Sequence, residues 1–360
     1  MNIEDPLILV LYNVEEKAVR SDASDLIALQ DTARVAMHLT EALTACGYRT
    51  LPIAVHDSLS ELRKALRPFS PETAFIFNNC DGFKGENVAA TKVVRLVEAL
   101  GFKHTGSTAN VGMACIDKAR TKQRLVAAHI PTPRYQVFTK PEGSYRYSFP
   151  AIVKPLTDDA SLGIHLQSVV RTHAELIKRV LFVIEQYHQA ALVEEFIPGR
   201  ELAVSMWGNE NVQALPITEQ DYSLIENPLH HILTYESKWI QDSYYYLNIP
   251  ARCPANLEPA EARLVVDTAL QAYRAIGMRD FGRADIRYHD GVPYVIDINE
   301  VPDLSPNAGF FNSASKAGYS YSDMVRQLLE LALEREGWQC RKRTLKSLSP
   351  RLQTANASLD

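Results

Sequence analysis

The sequence lacks most of the features that would assign it to a specialised class of protein. Its five cysteines (Cys46, Cys80, Cys115, Cys253, Cys340) are scattered over 360 residues without a Cys-x-x-Cys spacing. Neither a disulfide framework nor a zinc site is therefore predicted, and a reducing, cytoplasmic compartment fits best. No apolar run approaches the ~20 residues that cross a bilayer, and the acidic N-terminus does not resemble a signal peptide. A membrane location is not expected.

Basic runs and glycine-rich fingerprints are also missing. The formal net charge is -5, and no arginine-rich stretch is present, so nothing predicts a nucleic-acid or membrane-surface partner. The chain contains neither Gly-x-Gly-x-x-Gly nor Gly-x-x-x-x-Gly-Lys-Ser/Thr, the loops of dinucleotide sites and P-loops. Any phosphates must be held by other residues.

The first hundred residues alternate apolar segments with amphipathic ones. Strands are predicted over 7–12, 50–55 and 74–79, with helices up to Cys46, from Ser58, and over 86–100. This alternation is typical of a parallel α/β layer. We interpret 106–112 as a loop and 117–128 as the next helix, which places a domain boundary near Ile116.

Beyond this boundary the pattern changes to α+β. Strands are predicted over 134–138, 147–155, 165–169, 191–197 and 201–207, and helices up to His188, over 259–276 and over 322–336. The predicted fold class is thus α/β and α+β, with three domains over 1–116, 117–199 and 200–340 and a mobile tail over 341–360. The stretch 219–249 is long for a connection inside a compact domain, a length that is typical of lids.

Two neighbouring segments, 281–288 and 294–299, carry the strongest chemical signal. Their period of two places Arg283 and Asp285 on one face of the first strand, and Asp297 and Asn299 on one face of the second. Magnesium prefers oxygen ligands and needs only one or two carboxylates beside phosphate oxygens and waters. We therefore predict Asp285, Asp297 and Asn299 as magnesium ligands. The alternative is a solvated hairpin face with surface ion pairs.

The loop between these strands decides whether the two carboxylates meet. A two-residue turn at Asp290-Gly291 would pair Asp285 with Ile296 and send the aspartates to opposite faces. A three- or five-residue loop would pair Asp285 with Asp297. We predict the longer loop.

Four further segments occur in a fixed order along the chain. They are 117–122 with 130–133, 149–155 with the loop 158–163, 192–201, and the lid around Lys238 followed by the hairpin. From about residue 70 to residue 335 this order resembles ATP-grasp enzymes, and most closely the D-alanine-D-alanine ligase family. The resemblance implies an ATP-grasp fold with a Rossmann-like N-terminal sheet, ATP and Mg2+ as cofactors bound between the second and third domains, and a homodimer.

The resemblance also implies a set of nucleotide-binding residues. Lys118 and Lys154 would bind phosphates, and the residues 194–197 would form the adenine-binding hinge through Glu194, Glu195, Phe196 and Ile197. Glu201 would bind the ribose. From the sequence alone, lysines are mostly solvated surface residues, and Glu194 and Glu195 could equally be an exposed strand end.

Three residues would act on the reaction itself. Lys238 would close over the γ-phosphate, backbone N-H groups at Ser161 would cap phosphates, and Arg283 would stabilise the oxyanion. In this family ATP phosphorylates a carboxylate, an amine attacks the acyl phosphate, and phosphate leaves. The alternative for Arg283 is a salt bridge to Asp285 without catalytic consequence.

The substrate ends depart from the family pattern. Asp297 replaces the usual Glu, Asp303 stands where Gly is usual, Ala308 occupies the position of the serine that holds the acceptor carboxylate, and 11–16 lacks Gly-Gly-x-Ser-x-Glu. We therefore expect substrates other than two D-alanines.

Two N-terminal segments favour one particular substrate. Tyr12-Asn13 and 77–82 resemble ligases that couple an amino acid to mycosporine-glycine, whose acceptor is an enone and whose product is an imine. The alternatives are a D-alanine-D-alanine or other dipeptide ligase, and an ATP-binding regulatory protein without turnover.

Overall fold

The computed structural model describes residues 5–14, 26–56, 58–80 and 88–338, with side chains from residue 32 onward in the first helix. Glu15, Glu16, Asp81, Gly82 and the predicted tail lie outside these residues. Within the described part of the chain, no helix is long and apolar enough to cross a membrane.

The N-terminal part is a parallel sheet flanked by helices, as predicted. Its strands, in the order β2-β1-β3, and its helices are β1 (Leu7–Asn13), β2 (Thr50–Val55), β3 (Ala74–Asn79), α1 (Leu26–Ala45), α2 (Leu59–Leu66) and α3 (Val88–Ala99). Every residue of β3 is buried, which is typical of a parallel strand covered on both faces. The Ser58 hydroxyl caps α2 by accepting from the Ser60 N-H.

The predicted loop over 106–112 is wrong in its second half, because α4 (Ala109–Ile116) begins there. Thr108 provides the N-cap by accepting a hydrogen bond from the Val111 N-H. Gly112 lies inside this helix, where a larger residue would be crowded because its Cβ would lie only 3.0 Å from Oε1 of Glu300. Close packing therefore explains this glycine.

The second sheet has the order β4-β7-β5-β6. Its strands and the helices nearby are α5 (Lys118–Ala127), β4 (Tyr135–Phe138), β5 (Ala151–Pro155), β6 (Val169–Val170), α6 (His173–Tyr187) and β7 (Ala191–Glu195). Strand β5 begins later than predicted, just after Pro150, which has no N-H to donate to a ladder. A 3-10 turn over Leu166–Ser168 replaces most of the strand predicted over 165–169, because the Ser168 hydroxyl accepts the His165 N-H at 3.0 Å.

The third sheet is antiparallel, with the order β11-β10-β8-β12-β13 and β9 paired to β8. The elements of this part are β8 (Arg200–Trp207), β9 (Gln213–Ala214), β10 (Thr218–Gln220), α7 (Tyr235–Trp239), α8 (Tyr244–Asn248), β11 (Ala251–Arg252), α9 (Pro259–Ile276), β12 (Phe281–His289), β13 (Val292–Asn299), α10 (Gly309–Lys316) and α11 (Tyr321–Arg335). Each sheet falls inside one predicted domain range, and the domain boundaries themselves stay a prediction.

The hairpin loop is shorter than predicted, yet the two aspartates meet. His289 pairs with Val292, so Asp290 and Gly291 form a two-residue turn with φ of 47° and 76°, as in a type I′ turn. A bulge then shifts the register: Ile286 pairs with Val295, whereas Asp285 pairs with Asp297. The extra residue is Ile296, and it returns both carboxylates to one face.

Buried contacts fix the N-terminal sheet to the third sheet. Phe77 shares a core cluster with Trp207, Leu304 and Phe310. The fully buried Asp280 accepts a hydrogen bond from the Gly106 N-H at 2.8 Å and a forked pair from Arg335. These contacts hold the N-terminal sheet and the third sheet in one arrangement.

Candidate active site

A cleft between the second and third sheets contains every site residue that the sequence predicted. Its lining includes Lys118, Lys154, Ser161, Glu194, Glu195, Phe196, Ile197, Glu201, Lys238, Arg283, Asp285, Asp297 and Asn299. Strands β5 and β7 supply one wall, β8 and the β12-β13 hairpin supply the other, and α7 carries Lys238. The roles of these residues stay predictions, but their convergence on one cleft is a property of the fold.

The hairpin presents two carboxylates and one amide to the cleft. Arg283 makes a forked ion pair with Asp285, at 2.7 and 2.9 Å, and the Asn299 side chain donates to Asp285 at 3.2 Å. Although burial opposes its charge, Arg283 lowers the pKa of Asp285. The pKa of Asp297 is raised by burial and by the nearby carboxylates of Asp159 and Asp285.

This set of oxygen donors fits a magnesium ion. Two carboxylates from facing strand positions and one amide oxygen are the ligand types that Mg2+ takes when phosphates and waters complete its shell. Among the residues that the structure describes, no group of three or more His, Cys, Asp or Glu could hold a metal by itself. Asp285, Asp297 and Asn299 could therefore hold Mg2+ together with a bound phosphate.

Lys118 lies at the N-terminal end of α5, where Asp117 caps the helix. Its Nζ is 2.8 Å from Asp159 and 3.0 Å from Asp297. Burial disfavours this charge, but the two carboxylates outweigh it and raise the pKa of Lys118. Lys118 is thus a fixed cation beside the carboxylates that could bind the metal.

The loop 158–163 turns its backbone sharply beside these groups. Ala160, Ser161 and Gly163 have φ of 54°, 62° and 70°, and a Cβ on Gly163 would lie 2.6 Å from Cγ of Pro155. Successive N-H groups in such left-handed turns form concave anion sites. The conformation fits the predicted phosphate contacts at Ser161.

Lys154, predicted to bind phosphate, belongs to a triad of charges that includes the buried Glu194. Glu194 lies between Lys122 and Lys154, with both ammonium groups 2.7 Å from its two oxygens. Burial opposes the Glu194 charge, but the lysines lower its pKa to about 2. Since both oxygens are engaged, a contact of this carboxylate with adenine stays a prediction. Lys122 was missed, although it lies four residues from Lys118 and therefore on the same helix face.

The segment predicted to be a lid directly contacts the loop 158–163 and the adjacent Ile164. The Tyr235 N-H donates to the carbonyl of Ile164 at 2.9 Å, and the Trp239 indole donates to the carbonyl of Ala160 at 3.0 Å. Tyr235 and Trp239 also pack against Leu162. Lys238 is held over the cleft between them, where loss of hydration and the charge of Arg283 lower its pKa.

Comparisons with known proteins identify the family of this chain. Residues 125–330 match the family model for the D-ala D-ala ligase C-terminus. D-alanine--D-alanine ligase of Desulforudis audaxviator is 31% identical over 300 residues, covering 82% of this chain and 91% of its own length. An uncharacterized protein, y4sG, of Sinorhizobium fredii is 33% identical over 307 residues, covering 84% and 88%. The chain belongs to the D-alanine-D-alanine ligase family.

Solved structures of D-alanine-D-alanine ligase type confirm the fold. The Bacillus anthracis ligase complexed with ATP has a TM-score of 0.71 at 21% identity, covering 92% of this chain and 99% of that one. The VanG D-Ala:D-Ser ligase of Enterococcus faecalis has a TM-score of 0.68 at 17% identity, covering 91% and 100%. These structures confirm the predicted ATP-grasp architecture. Membership of the ligase family, shown by the family model and the relatives, confirms the predicted ATP-dependent ligase that forms a C-N bond, with ATP and Mg2+ as cofactors.

The loop after the hairpin shows how this family member departs from the family pattern. Asp303, where the family has glycine, accepts hydrogen bonds from the Ser305 N-H at 2.8 Å and the Ser305 hydroxyl at 3.2 Å. Such a side chain stabilises a turn by bonding its own backbone. Ala308 precedes α10 and offers no side-chain cap. No hydroxyl is therefore present at position 308 to bind a carboxylate.

Proposed function

We propose that this cleft binds ATP with Mg2+, phosphorylates a carboxylate or carbonyl oxygen of one substrate, and couples the activated carbon to the amine of an amino acid. The observation that carries the proposal is the convergence of Lys118, Lys154, Lys238 and Arg283 on the hairpin carboxylates. Phosphoryl transfer depends mainly on position and charge stabilisation, and these cations supply both.

Each cation has a distinct place in this chemistry. Lys118 and Lys154 bind phosphate oxygens, and the loop at Ser161 adds backbone N-H groups. Arg283 is held by Asp285 with its charge permanently in place, which suits stabilisation of an oxyanion; loss of such a donor costs about 3 to 4 kcal/mol of barrier. Mg2+, when bound by Asp285, Asp297 and Asn299, neutralises phosphate charge. Lys238 and the lid exclude water.

The acceptor end disfavours two D-alanine substrates. Asp303 lies close enough to Arg283 to contribute to the raised pKa of that guanidinium, so its negative charge would act against a substrate carboxylate placed there. Ala308 cannot donate a hydrogen bond in compensation. The carboxylate of an amino acid substrate therefore needs a binding site other than positions 303 and 308.

Buried amides at the N-terminal sheet favour mycosporine-glycine as a candidate. Asn13, Asn78 and Asn79 lie at the carboxyl ends of β1 and β3 and are buried, and ligands bind at this edge in open parallel sheets. The Oδ1 atom of Asn78 has no hydrogen-bond partner. Neutral amides suit the hydroxyls and carbonyl of a ring better than an ammonium group. D-alanine remains the rival, since relatives of this chain bear the name D-alanine--D-alanine ligase.

Measuring ADP release with ATP, Mg2+ and single amino acids, with and without mycosporine-glycine, tests the proposal. We expect turnover that requires both mycosporine-glycine and an amino acid. Turnover on D-alanine alone would refute this substrate assignment while leaving the ligase assignment intact. Protection of the protein by ATP without ADP formation on any pair would favour a regulatory protein. The homodimer also stays a prediction, which sedimentation equilibrium tests.

Two variants of the hairpin separate the metal site from the fold. Asp297→Asn removes the negative charge of a predicted ligand, whereas Asp290→Asn changes an exposed turn residue of the same hairpin. We expect the first to abolish Mg2+-dependent ADP release and the second to leave it unchanged.

A further inference from the structure

A buried arginine lies at the nucleoside end of the cleft, and the sequence analysis gave it no role. Arg287 is on β12, two residues beyond Asp285, and it pairs directly with Glu201 of β8 in the sheet register. It lines the cleft but is only 4% exposed. Burying a guanidinium is costly unless hydrogen bonds and a counter-charge compensate it, so its partners reveal what it holds in place.

The guanidinium joins three separate parts of the cleft. Its NH2 lies 3.0 Å from Oε2 of Glu201 and also donates to the carbonyl of His231, which belongs to the lid segment. Its NH1 donates to the carbonyl of Gly199 at 3.1 Å, in the connection between β7 and β8. A planar fork with several donors can make these contacts simultaneously, whereas a lysine cannot.

Glu201 is consequently fixed by two donors on the same oxygen. The Tyr222 hydroxyl donates to Oε2 at 2.5 Å, and Arg287 uses this oxygen as well. Neither contact uses Oε1, which is therefore the oxygen available to a ligand. A carboxylate acceptor forms stronger hydrogen bonds with hydroxyl groups than a neutral acceptor does.

Two aromatic rings lie beside the guanidinium. Its Cζ lies 5.7 Å from the ring centres of Phe196 and of Tyr222, within the range of cation-π contact. Phe196 lines the same cleft as Glu201. A change at position 287 would therefore be felt at the residues that surround a nucleoside, not at the hairpin carboxylates.

We propose that Arg287 is a positioning residue that orients Glu201 to accept hydrogen bonds from ribose hydroxyls, and so makes the site select ATP over deoxy-ATP. This inference rests on the proposed nucleotide-binding function. Arg287 touches no reacting atom, so its loss changes nucleotide selectivity far more than the rate at saturating nucleotide.

Calorimetric titration of the full chain with ATP, 2′-deoxy-ATP and 3′-deoxy-ATP, in the presence of Mg2+, tests this proposal. Wild type should prefer ATP to at least one deoxy nucleotide by about tenfold or more, the value of a hydrogen bond to a charged group. Arg287→Met should reduce this ratio to about threefold or less. Arg200→Met is the matched control, because Arg200 forms a forked pair with Glu219 at 2.7 Å and lies outside the cleft.

Each outcome decides the question. A wild-type ratio retained by Arg287→Met, or a wild type that does not discriminate, overturns the inference but leaves ATP binding in place. Failure of wild type to bind ATP overturns the proposed function as well. If Arg287→Met does not fold, Arg287→Lys replaces it: a lysine supplies the charge without the fork, so the ratio should still fall, and an unchanged ratio overturns the proposal.

Discussion

Replacing Lys122 with Met should separate the stability of the cleft from its affinity for nucleotide. Lys122 and Lys154 both lie 2.7 Å from Glu194, but Lys122 is 1% exposed and does not line the cleft, whereas Lys154 does. Lys122→Met and Lys154→Met each remove one counter-ion of the same buried carboxylate, Glu194. Only the loss of Lys154 also removes a predicted phosphate ligand.

The magnitude follows from the Glu194 carboxyl. Its two lysines lower its pKa to about 2, which corresponds to roughly 3 kcal/mol in favour of the charged form. Lys122→Met removes one of the two counter-charges and leaves the other, and removing Lys122 also relieves the burial that lowers the pKa of Lys122 itself. We therefore expect Lys122→Met to reduce the free energy of unfolding by ~1 to 2 kcal/mol, less than the ~3 to 5 kcal/mol for stranding a buried charge completely.

The pH dependence has a defined sign. Because the folded-state pKa of Glu194 is lowered, its stabilisation is complete above the ordinary carboxyl range and is lost as the pH falls toward about 2. The loss of unfolding free energy in Lys122→Met relative to wild type should accordingly be full at neutral pH. It should shrink as the pH falls below the pKa of an ordinary glutamate.

Urea unfolding followed by tryptophan fluorescence, together with ATP titration, measures both effects. Lys140→Met serves as the control, since the Lys140 side chain is 74% exposed and should change stability by less than ~0.5 kcal/mol. The reasoning fails if Lys122→Met is as stable as this control, or if it weakens ATP binding as much as Lys154→Met does.

Three further changes test other parts of the site. Deleting Ile296 should remove the bulge but leave Asp285 paired with Asp297 on the same face, so Mg2+-dependent ADP release should be retained, as it should when one residue is inserted between Asp290 and Gly291; loss of ADP release in either variant would contradict this register. Gly163→Ala should weaken ATP binding by about tenfold or more, because φ is 70° and the added Cβ would lie 2.6 Å from Pro155; Gly309→Ala, where a Cβ meets nothing within 4 Å, is its control. Lys238→Met should leave the free energy of unfolding in urea within ~0.5 kcal/mol of wild type while reducing kcat by at least about tenfold. A loss of stability that matches the loss of activity would contradict the lid assignment.

The hairpin shows how far periodicity alone can predict this site. Alternation with period two correctly placed Arg283 and Asp285 on one face, and the Asp290-Gly291 signal was a true two-residue turn. The bulge at Ile296 could not be predicted from the sequence of the strand, because the neighbouring Val295 is held by residues distant in the chain. The Val295 N-H donates to the Pro131 carbonyl at 2.8 Å, and the Val295 carbonyl accepts from the Thr132 hydroxyl at 2.7 Å. Register depends on such distant partners.

Two residues were missed for different reasons. Lys122 reads as an ordinary helix-surface lysine until the fold brings Glu194 to it, because no local pattern marks a buried lysine. Arg287, in contrast, continues the same alternation as Arg283 and Asp285, so the period places it on their face but assigns it no role. Its partner Glu201 lies on β8, so its role still required the tertiary structure.

The cations of the cleft divide into two groups by their partners. Lys118, Lys154, Arg283 and Arg287 each lie 2.7 to 3.0 Å from a carboxylate, which fixes their position before any ligand arrives; preorganised charges of this kind need no reorganisation in the transition state. Within the described residues, Lys238 has no carboxylate at ion-pair distance, and loss of hydration lowers its pKa. A cation without a counter-ion from the protein gains most from a phosphate. The residue best able to couple lid closure to nucleotide binding is therefore the one that the protein itself leaves uncompensated.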